Sequence, residues 1–309
     1  MQLPLLNDFD KFFRDDLWIA VARHIFSEHG RSSEGLKRIP HGENVVFLTA
    51  DALVLKIYTP QRNGFKRERA GLEFAAGKMA IKIPHIIEEG EIEGFYYLIT
   101  TQLKGELLTR QEWLKLEQDQ QLRVVTQLAK GLKDLHSYDA GDVGFDWKEF
   151  IKIQRHYAVD RQVQAGASRE WIESLPRYIE DNLHLLPELE RPAFLHGDVH
   201  FANMKVMHVD GEWQIAGLFD FADSLAGFYE YDFLAPGVLM IQGQGELQRE
   251  FFRAYGYSDA DINEELRRRL MLLTVLYECS NLRKYALRLR HEAVDYTLDE
   301  LEQAIWNFV

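Results

Sequence analysis

The stretch of sequence that decides the fold is Phe194-Leu195-His196-Gly197-Asp198-Val199-His200-Phe201-Ala202-Asn203. A short apolar run leads into a polar loop that carries Asp198 and, five positions later, Asn203. Farther along the chain, an apolar run ending at Phe219 is followed by Asp220. An acid, an amide and a second acid in this order recur in phosphoryl transfer, where the first accepts a proton and the others bind magnesium. The pattern therefore predicts Asp198 as the catalytic base and Asn203 and Asp220 as Mg²⁺ ligands.

A hairpin is predicted between the two parts of this pattern. Residues 204–209 and 213–219 are apolar runs that flank Asp210-Gly211, a strong signal for a tight turn. Such a hairpin would return Asp220 to the side of Asn203, as coordination of one ion by both residues requires.

The strings H-G-D-V-H-F-A-N at 196–203 and D-F-A-D at 220–223 resemble the aminoglycoside phosphotransferase and choline kinase branch of the protein-kinase-like fold. The resemblance implies an α+β, bilobal architecture. A small antiparallel sheet lobe over residues 1–104 would bind the nucleotide, and a larger, mainly helical lobe over residues 105–309 would hold the catalytic and acceptor sites. It also implies Mg²⁺ as cofactor and ATP as phosphate donor, with GTP as the alternative.

The same resemblance assigns roles to other residues of the two loops. His196 and His200 are expected to brace the catalytic loop, and neither is assigned to catalysis. Asp223 matches a second acid of the family, which contacts metal through water or shapes the loop. Asp232 is expected to cap the following helix or to anchor the loop backbone.

A lysine and a glutamate are expected to meet at the nucleotide phosphates. Two β-rich runs, 44–49 and 52–58, predict adjacent antiparallel strands, and Lys56 lies in the second. Lys56 would simply face solvent in an ordinary strand, but the resemblance implies that it binds the α- and β-phosphates. Glu68, on a predicted helix, matches the glutamate that pairs with this lysine, and Glu73 is the competing candidate.

Two further nucleotide contacts are implied by position in the chain. Gly42 lies in the segment that would cover the phosphates, although this segment contains one glycine and lacks the pattern G-x-G-x-x-G. Thr101 and Leu103 lie at the predicted hinge, where backbone groups would meet the adenine edge.

Helical periodicity is expected in several parts of the chain, and a capping box at Thr297 would open the last helix. The predicted helices cover residues 8–29, 62–76, 122–135, 146–186 and 258–290. In the family, the inserted helices at 146–186 form part of the acceptor pocket. Acidic residues that would receive an ammonium group of the acceptor are Asp223, Glu278 and Asp295.

Composition limits the class of protein. The chain has 309 residues and a formal net charge of −13, so a nucleic-acid partner is not expected. An acidic surface would attract a cationic small-molecule acceptor, although solubility explains the charge equally well. The single cysteine, Cys279, excludes an internal disulfide and is expected to be a small buried residue in a reducing, cytoplasmic compartment. No apolar run predicts a signal peptide or a membrane span, and the protein is expected to be a monomer or homodimer.

Three other functions were considered for these residues. A transition-metal hydrolase would use His196, Asp198, His200 and His208, but this leaves the downstream motif unexplained. An atypical protein Ser/Thr kinase is disfavoured because Gly197 replaces the arginine that receives an activation-loop phosphate and because no A-P-E string follows. A catalytically silent nucleotide-binding scaffold is disfavoured because the lysine, base and metal-binding residues are all present.

Overall fold

The computed structural model describes residues 17–40, 42–59, 64–141, 145–289 and 296–309. Its N-terminal part is a five-stranded antiparallel sheet in the order β1-β2-β3-β5-β4. The strands of this sheet are β1 Lys37–Ile39, β2 Val45–Leu48, β3 Leu53–Ile57, β4 Ile86–Ile92 and β5 Phe95–Thr101.

Each face of the sheet is covered by one helix. Helix α1, Leu17–Glu28, buries its apolar side on one face, where Leu55 and Ile57 of β3 are also fully buried. Because side chains alternate along a strand, Lys56 lies on the other face, toward helix α2, Gly64–Ala75. The sheet therefore separates an apolar face from a face that carries charge.

The C-terminal part is mainly helical and contains two small sheets, one of order β6-β8-β9 and one pairing β7 with β10. Its α-helices are α3 Arg110–Trp113, α4 Gln118–His136, α5 Trp147–Gln164, α6 Arg169–Asn182, α7 Gly245–Tyr255, α8 Glu264–Leu276, α9 Leu282–Leu289 and α10 Leu298–Ile305. Its strands are β6 Glu106–Leu107, β7 Ala193–Leu195, β8 Met204–Val209, β9 Glu212–Leu218 and β10 Leu225–Gly227. Short 3-10 turns at Phe201–Asn203, Phe221–Asp223 and Tyr229–Phe233 carry the loops between them.

The predicted fold class is confirmed, with a small antiparallel sheet lobe and a helical region. The hairpin around Asp210-Gly211 is present as β8 and β9, which pair from Met204↔Leu218 to Val209↔Glu212. The capping box at Thr297 is also present. The division of the chain between residues 104 and 105 stays a prediction.

The long helical region predicted over 258–290 contains two helices separated by a break. Helix α8 ends at Leu276 because Tyr277 adopts extended backbone, with φ −60° and ψ 134°, and α9 starts only at Leu282. Cys279 lies in this break and is exposed, so the expectation that it is buried is wrong. The apolar pattern continues across the break, which is why periodicity alone did not locate it.

Within the described ranges, no helix is both long and apolar enough to cross a membrane.

Candidate active site

Three charged side chains from different parts of the fold meet at the junction of the two lobes. The Lys56 Nζ of β3 lies 2.6 Å from the Glu68 Oε2 of α2 and 2.7 Å from the Asp220 Oδ1 beyond β9. Burial opposes the lysine charge, but the two carboxylates outweigh burial and raise the pKa of Lys56 above its ordinary value. Lys56 is therefore a fixed positive charge between helix α2 and the loop that carries Asp220.

The two carboxylates beside Lys56 respond differently to burial. Burial is the larger influence at Glu68 and raises its pKa in spite of the ammonium group. At Asp220 burial also favours the neutral form, but Lys56 outweighs it and holds the pKa below the ordinary value. Asp220 is thus ionised at neutral pH, as a metal ligand must be.

Helix α2 is held against the Asp220 loop by close backbone approach. A Cβ on Gly71 would lie 2.8 Å from the Phe221 Cβ and 2.9 Å from the Ser224 Oγ, so only glycine fits at this position. The Ser224 hydroxyl also donates to the Arg67 carbonyl at 3.1 Å. These contacts fix the distance between Glu68, one residue beyond Arg67, and the loop that carries Asp220.

The Asp198 carboxylate is oriented by donors on both of its oxygens. Oδ2 accepts from the Asn203 Nδ2 at 2.9 Å and lies 3.2 Å from the His200 Nε2. The His200 Nδ1 accepts from the Ala202 N–H at 3.1 Å, so the proton of this imidazole is on Nε2 and points at Asp198. Burial would raise the pKa of Asp198, but the hydrogen bond from His200 outweighs burial and lowers it below its ordinary value.

Asn203 and Asp220 are brought together by the end of the hairpin. The Phe219 N–H donates to the Asn203 carbonyl at 3.0 Å, one step beyond the pair Met204↔Leu218. The Asn203 amide nitrogen is used by Asp198, so the amide oxygen is the atom suited to a metal ion. Three oxygen-bearing side chains from two loops are thus neighbours.

The backbone of the catalytic loop is anchored by Asp232. Its two carboxylate oxygens accept the N–H groups of His196 and Gly197 at 2.8 and 2.7 Å, and the His136 Nε2 lies 2.9 Å away. Gly197 has φ +86°, and a Cβ there would lie 2.2 Å from the Asp223 carbonyl oxygen. No side chain, and hence no arginine, fits at this position of the loop.

His196 is a structural residue of the loop. It is fully buried, its Nε2 donates to the Phe219 carbonyl at 3.1 Å, and its Nδ1 lies 3.4 Å from the Asp198 N–H. Burial lowers the pKa of His196 and keeps the imidazole neutral, which both contacts require. The residue links the loop of Asp198 to the end of β9.

Two tyrosines belong to the site although no role was predicted for them. The Tyr58 hydroxyl donates to the Glu68 Oε2 at 2.6 Å, and the Tyr277 hydroxyl lies 3.3 Å from the Asp198 Oδ1. Tyr58 has a signal in the sequence, because it is two positions beyond Lys56 and shares its face of the strand. Tyr277 has none, because it is distant in sequence and its position depends on where α8 ends.

The residues predicted to contact the nucleotide differ in their backbone conformation and in which of their backbone groups are already hydrogen-bonded. Gly42 lies between β1 and β2 with φ +114°, beside His41, which is outside the described residues. The Thr101 N–H donates to the His85 carbonyl at 2.9 Å, so only its carbonyl remains for an adenine edge. The Leu103 N–H has no hydrogen-bond partner among the described residues and suits the second contact.

The other acidic residues that were predicted to contact Lys56 or the acceptor lie in different environments. Glu73 pairs with Arg69 at 3.2 Å on the exposed side of α2, so Glu68 and not Glu73 contacts Lys56. Asp223 ends the 3-10 turn after Asp220, and Glu278 is exposed in the break after Tyr277. Asp295 lies outside the described residues.

The donor set fits magnesium and does not fit a soft transition metal. Asp220 and Asn203 offer a carboxylate and an amide oxygen, the kinds of ligand that Mg²⁺ takes. His208 is exposed near the far end of β8, remote from His196 and His200. Across the described ranges, no group of three or more His, Cys, Asp and Glu side chains is arranged to hold a metal. The described residues therefore do not support the transition-metal site that the hydrolase alternative requires.

The model of the APH phosphotransferase enzyme family matches residues 35–272 of this chain. No curated protein was found to match the sequence. Among solved structures, the GDP complex of aminoglycoside 2'-phosphotransferase-IIIa is 18% identical, with a TM-score of 0.71 over 94% of this chain and 98% of that one.

Two other solved structures are similar at comparable identity. The ternary complex of streptomycin, ATP and APH(2")-IIa is 18% identical, with a TM-score of 0.59 over 94% of this chain and 98% of that one. APH(3'')-Id of Streptomyces rimosus, with ADP and streptomycin, is 16% identical, with a TM-score of 0.58 over 84% of this chain and 98% of that one. At such identities the likeness establishes the fold.

Proposed function

The chain belongs to the APH phosphotransferase enzyme family, and on this premise we propose that it transfers the γ-phosphate of ATP to a hydroxyl group of a small molecule. The observation that carries the proposal is the convergence of Asp198, Asn203 and Asp220 beside Lys56. A structural ion-pair network would need the lysine and its carboxylates alone. The oriented carboxylate of Asp198, with its own donors, supports a catalytic role in addition to this network.

The transfer assigns a task to each group. The acceptor hydroxyl oxygen forms a bond to the γ-phosphorus, the bond from that phosphorus to the β,γ-bridging oxygen breaks, and ADP leaves. Asp198 orients the hydroxyl and accepts its proton. A weak base is sufficient because the loose transition state needs little proton transfer before the bond to phosphorus forms. The lowered pKa of Asp198 fits this role, since it keeps the carboxylate ionised at neutral pH.

The nucleotide is held by charge and by backbone groups. Lys56 would contact the α- and β-phosphates with Glu68 keeping its ammonium group in place, and Gly42 would allow the covering loop to approach them. Thr101 and Leu103 would pair with the base through a carbonyl and an N–H, which suits adenine and leaves GTP as the alternative. Magnesium, when bound, neutralises phosphate charge, and Asn203 and Asp220 are the residues that would hold it.

The acceptor is proposed to be small and to carry an amine. Two of the three related structures named above contain streptomycin, and a further one contains gentamicin. Exposed Glu278 follows Tyr277, whose hydroxyl contacts Asp198, so an ammonium group near Glu278 would leave a hydroxyl within reach of the base. An atypical protein kinase is not supported, because Gly197 cannot be replaced by the arginine that such enzymes use.

The test compares Asp198→Asn with Asp210→Asn in an ADP-release assay against amino-alcohols, sugars and aminoglycosides. Asp210 lies in the exposed turn of the same hairpin with φ +52°, a conformation that asparagine tolerates, so it is a matched control. We expect Asp198→Asn to bind Mg-ATP with unchanged affinity and to lose about a hundredfold or more in turnover. Near-normal turnover in Asp198→Asn, or acceptor-independent ADP release in the wild type, would overturn the proposal.

A further inference from the structure

A basic pocket lies in the helical lobe of this otherwise acidic protein. The cavity has a volume of about 390 Å³ and lies between α3, the end of α5 and the start of α9. We define the basic pocket by the residues Arg110, Ala165, Asn281, Arg283, Lys284, Leu287 and Arg288. Four of the seven are cations, and no described acidic side chain lines the cavity.

The cations of the basic pocket are not neutralised by the protein. Among the described residues, Arg110, Arg283, Lys284 and Arg288 form no ion pair. By contrast, Arg169 and Arg177 pair with acids of their own helix, and Arg123 pairs with Glu212 of a neighbouring strand. Burial and, after it, the nearby charge of Arg110 lower the pKa of Arg288. Like charges held this close are unfavourable unless an anion joins them.

One guanidinium nitrogen of the basic pocket lacks a hydrogen bond. The Arg110 Nε is buried and has no partner among the described residues, whereas its Nη2 donates to the Gln242 side chain at 3.2 Å. The Arg161 Nη1, one helical turn before Ala165, is also buried without a described partner, and its other terminal nitrogen bonds to Gln154. An acceptor from outside the chain, either water or a bound anion, would stabilise these buried donors.

The basic pocket adjoins the catalytic loop from two directions. On one side, Tyr277 contacts Asp198, and the break that it starts ends at Asn281 of the pocket. On the other side, Phe201 of the catalytic loop packs on Trp113 with ring centroids 5.8 Å apart, and Trp113 belongs to the same short helix as Arg110. A small molecule with a hydroxyl at Asp198 would therefore extend toward the pocket.

We propose that the basic pocket binds an anionic group of the acceptor, so that the enzyme phosphorylates a hydroxyl compound that also carries a carboxylate or a phosphate ester. The inference rests on the proposed function and names its substrate class more closely. An amine near Glu278 is compatible with it, because Glu278 lies on the Tyr277 side of the pocket. Arginine favours such a ligand, since its planar fork matches carboxylate and phosphate oxygens.

The first experiment measures anion binding without catalysis. Inorganic phosphate and acetate are titrated calorimetrically into ADP-saturated full-length protein, so that the nucleotide site is already filled. We expect one of the two anions to bind the wild type and its dissociation constant to rise about tenfold in Arg288→Gln, with recovery in Arg288→Lys. The control is Arg123→Gln, which removes an exposed arginine paired with Glu212 far from the pocket and should change nothing. Absence of binding by both anions would overturn the inference, whereas the anion that binds distinguishes phosphate from carboxylate.

The second experiment measures transfer to matched acceptors. Glucose, glucosamine and glucuronate differ in charge, as do ethanolamine and serine, and glycerol and its monophosphate. We expect the anionic member of at least one set to have the higher kcat/KM, and Arg288→Gln to raise its KM about tenfold while kcat stays within about twofold. Equal or better use of neutral and cationic acceptors would overturn the inference and leave the proposed function standing. Anion binding without any Asp198-dependent transfer would instead count against the proposed function.

Discussion

Asp220 and Asp232 are acids of the same segment that occupy opposite environments. The Asp220 side chain is 37% exposed, and it bonds to the Lys56 ammonium group and to the backbone N–H of Ala222. The Asp232 side chain is 0% exposed, and both of its oxygens accept backbone N–H groups of the catalytic loop. One carboxylate faces the cleft with capacity for a ligand, and the other is fully occupied by the protein.

This difference distinguishes a carboxylate that can bind a ligand from a carboxylate that holds the loop backbone in position. A carboxylate whose acceptor sites are filled by backbone donors cannot exchange them for a ligand without breaking the loop. The partly exposed Asp220 carboxylate can, because the Lys56 ammonium group keeps a second carboxylate partner in Glu68. We therefore expect substitutions of Asp232 to act mainly on stability and substitutions of Asp220 mainly on turnover.

Asp232→Ala gives the largest expected effect. It leaves the N–H groups of His196 and Gly197 and the His136 ring without their buried acceptor, so we expect a loss of about 3–5 kcal/mol in the free energy of unfolding. Urea denaturation measures this quantity. Asp232→Asn keeps one acceptor oxygen, so its free energy of unfolding should lie between those of the wild type and Asp232→Ala. A loss below about 1 kcal/mol in Asp232→Ala would show that the loop has another anchor.

Asp220→Ala should separate the two roles most sharply. We expect turnover to fall about a hundredfold to a thousandfold and the affinity for Mg-ATP to weaken, because the site loses the carboxylate that is proposed to bind Mg²⁺. The free energy of unfolding should change by about 1 kcal/mol or less, since Lys56 keeps its contact with Glu68. Glu73→Ala, an exposed acid on α2, is the control and should leave both quantities unchanged. Unchanged Mg-ATP affinity in Asp220→Ala would argue against the metal role.

Tyr277→Phe is expected to have a moderate effect on turnover, because Tyr277 contacts Asp198. It removes the hydroxyl that lies 3.3 Å from the Asp198 Oδ1 and keeps the buried ring. We expect a reduction in kcat of about tenfold or less, because Asp198 keeps its contacts with Asn203 and His200. Steady-state kinetics measures it, with Tyr157→Phe on the exposed side of α5 as the control. A kcat equal to that of the wild type would limit Tyr277 to packing.

The smallest expected effect is on the pH dependence of stability. Burial lowers the pKa of His196 in the folded protein, so below about pH 6.5 the unfolded chain binds the proton and the folded chain does not. Stability should therefore fall as pH drops below that value and not change from this source above it. In His196→Asn the loss between about pH 7 and pH 5 should be smaller, as measured by urea denaturation at each pH. Identical losses in both proteins would mean that His196 is protonated in the fold.

The sequence was sufficient where function depends on residues close together in the chain. The spacing of Asp198 and Asn203 and the turn at Asp210-Gly211 led directly to the loop and hairpin that the structure contains. The strand with Lys56 was also found, because alternation separates charged from buried positions. These features are local, and local patterns suffice for them.

Features that depend on tertiary contacts were not found. The long apolar pattern over 258–290 did not reveal the break at Tyr277, because both resulting helices bury one face in the same core. Cys279 was consequently expected inside a helix. The basic pocket also went unnoticed, because Arg110 and Arg288 come from distant segments and the net charge of the chain is negative.

The short break between α8 and α9 connects two sites of the molecule. At one end of the break the Tyr277 hydroxyl lies 3.3 Å from the Asp198 Oδ1, and at the other end Asn281 lines the basic pocket. Lys56, Glu68 and Asp220 contact none of the residues that line that cavity. Changes in these few linking residues would thus alter which compound is modified while the donor chemistry is inherited intact, and this segment is where diversification of specificity should concentrate.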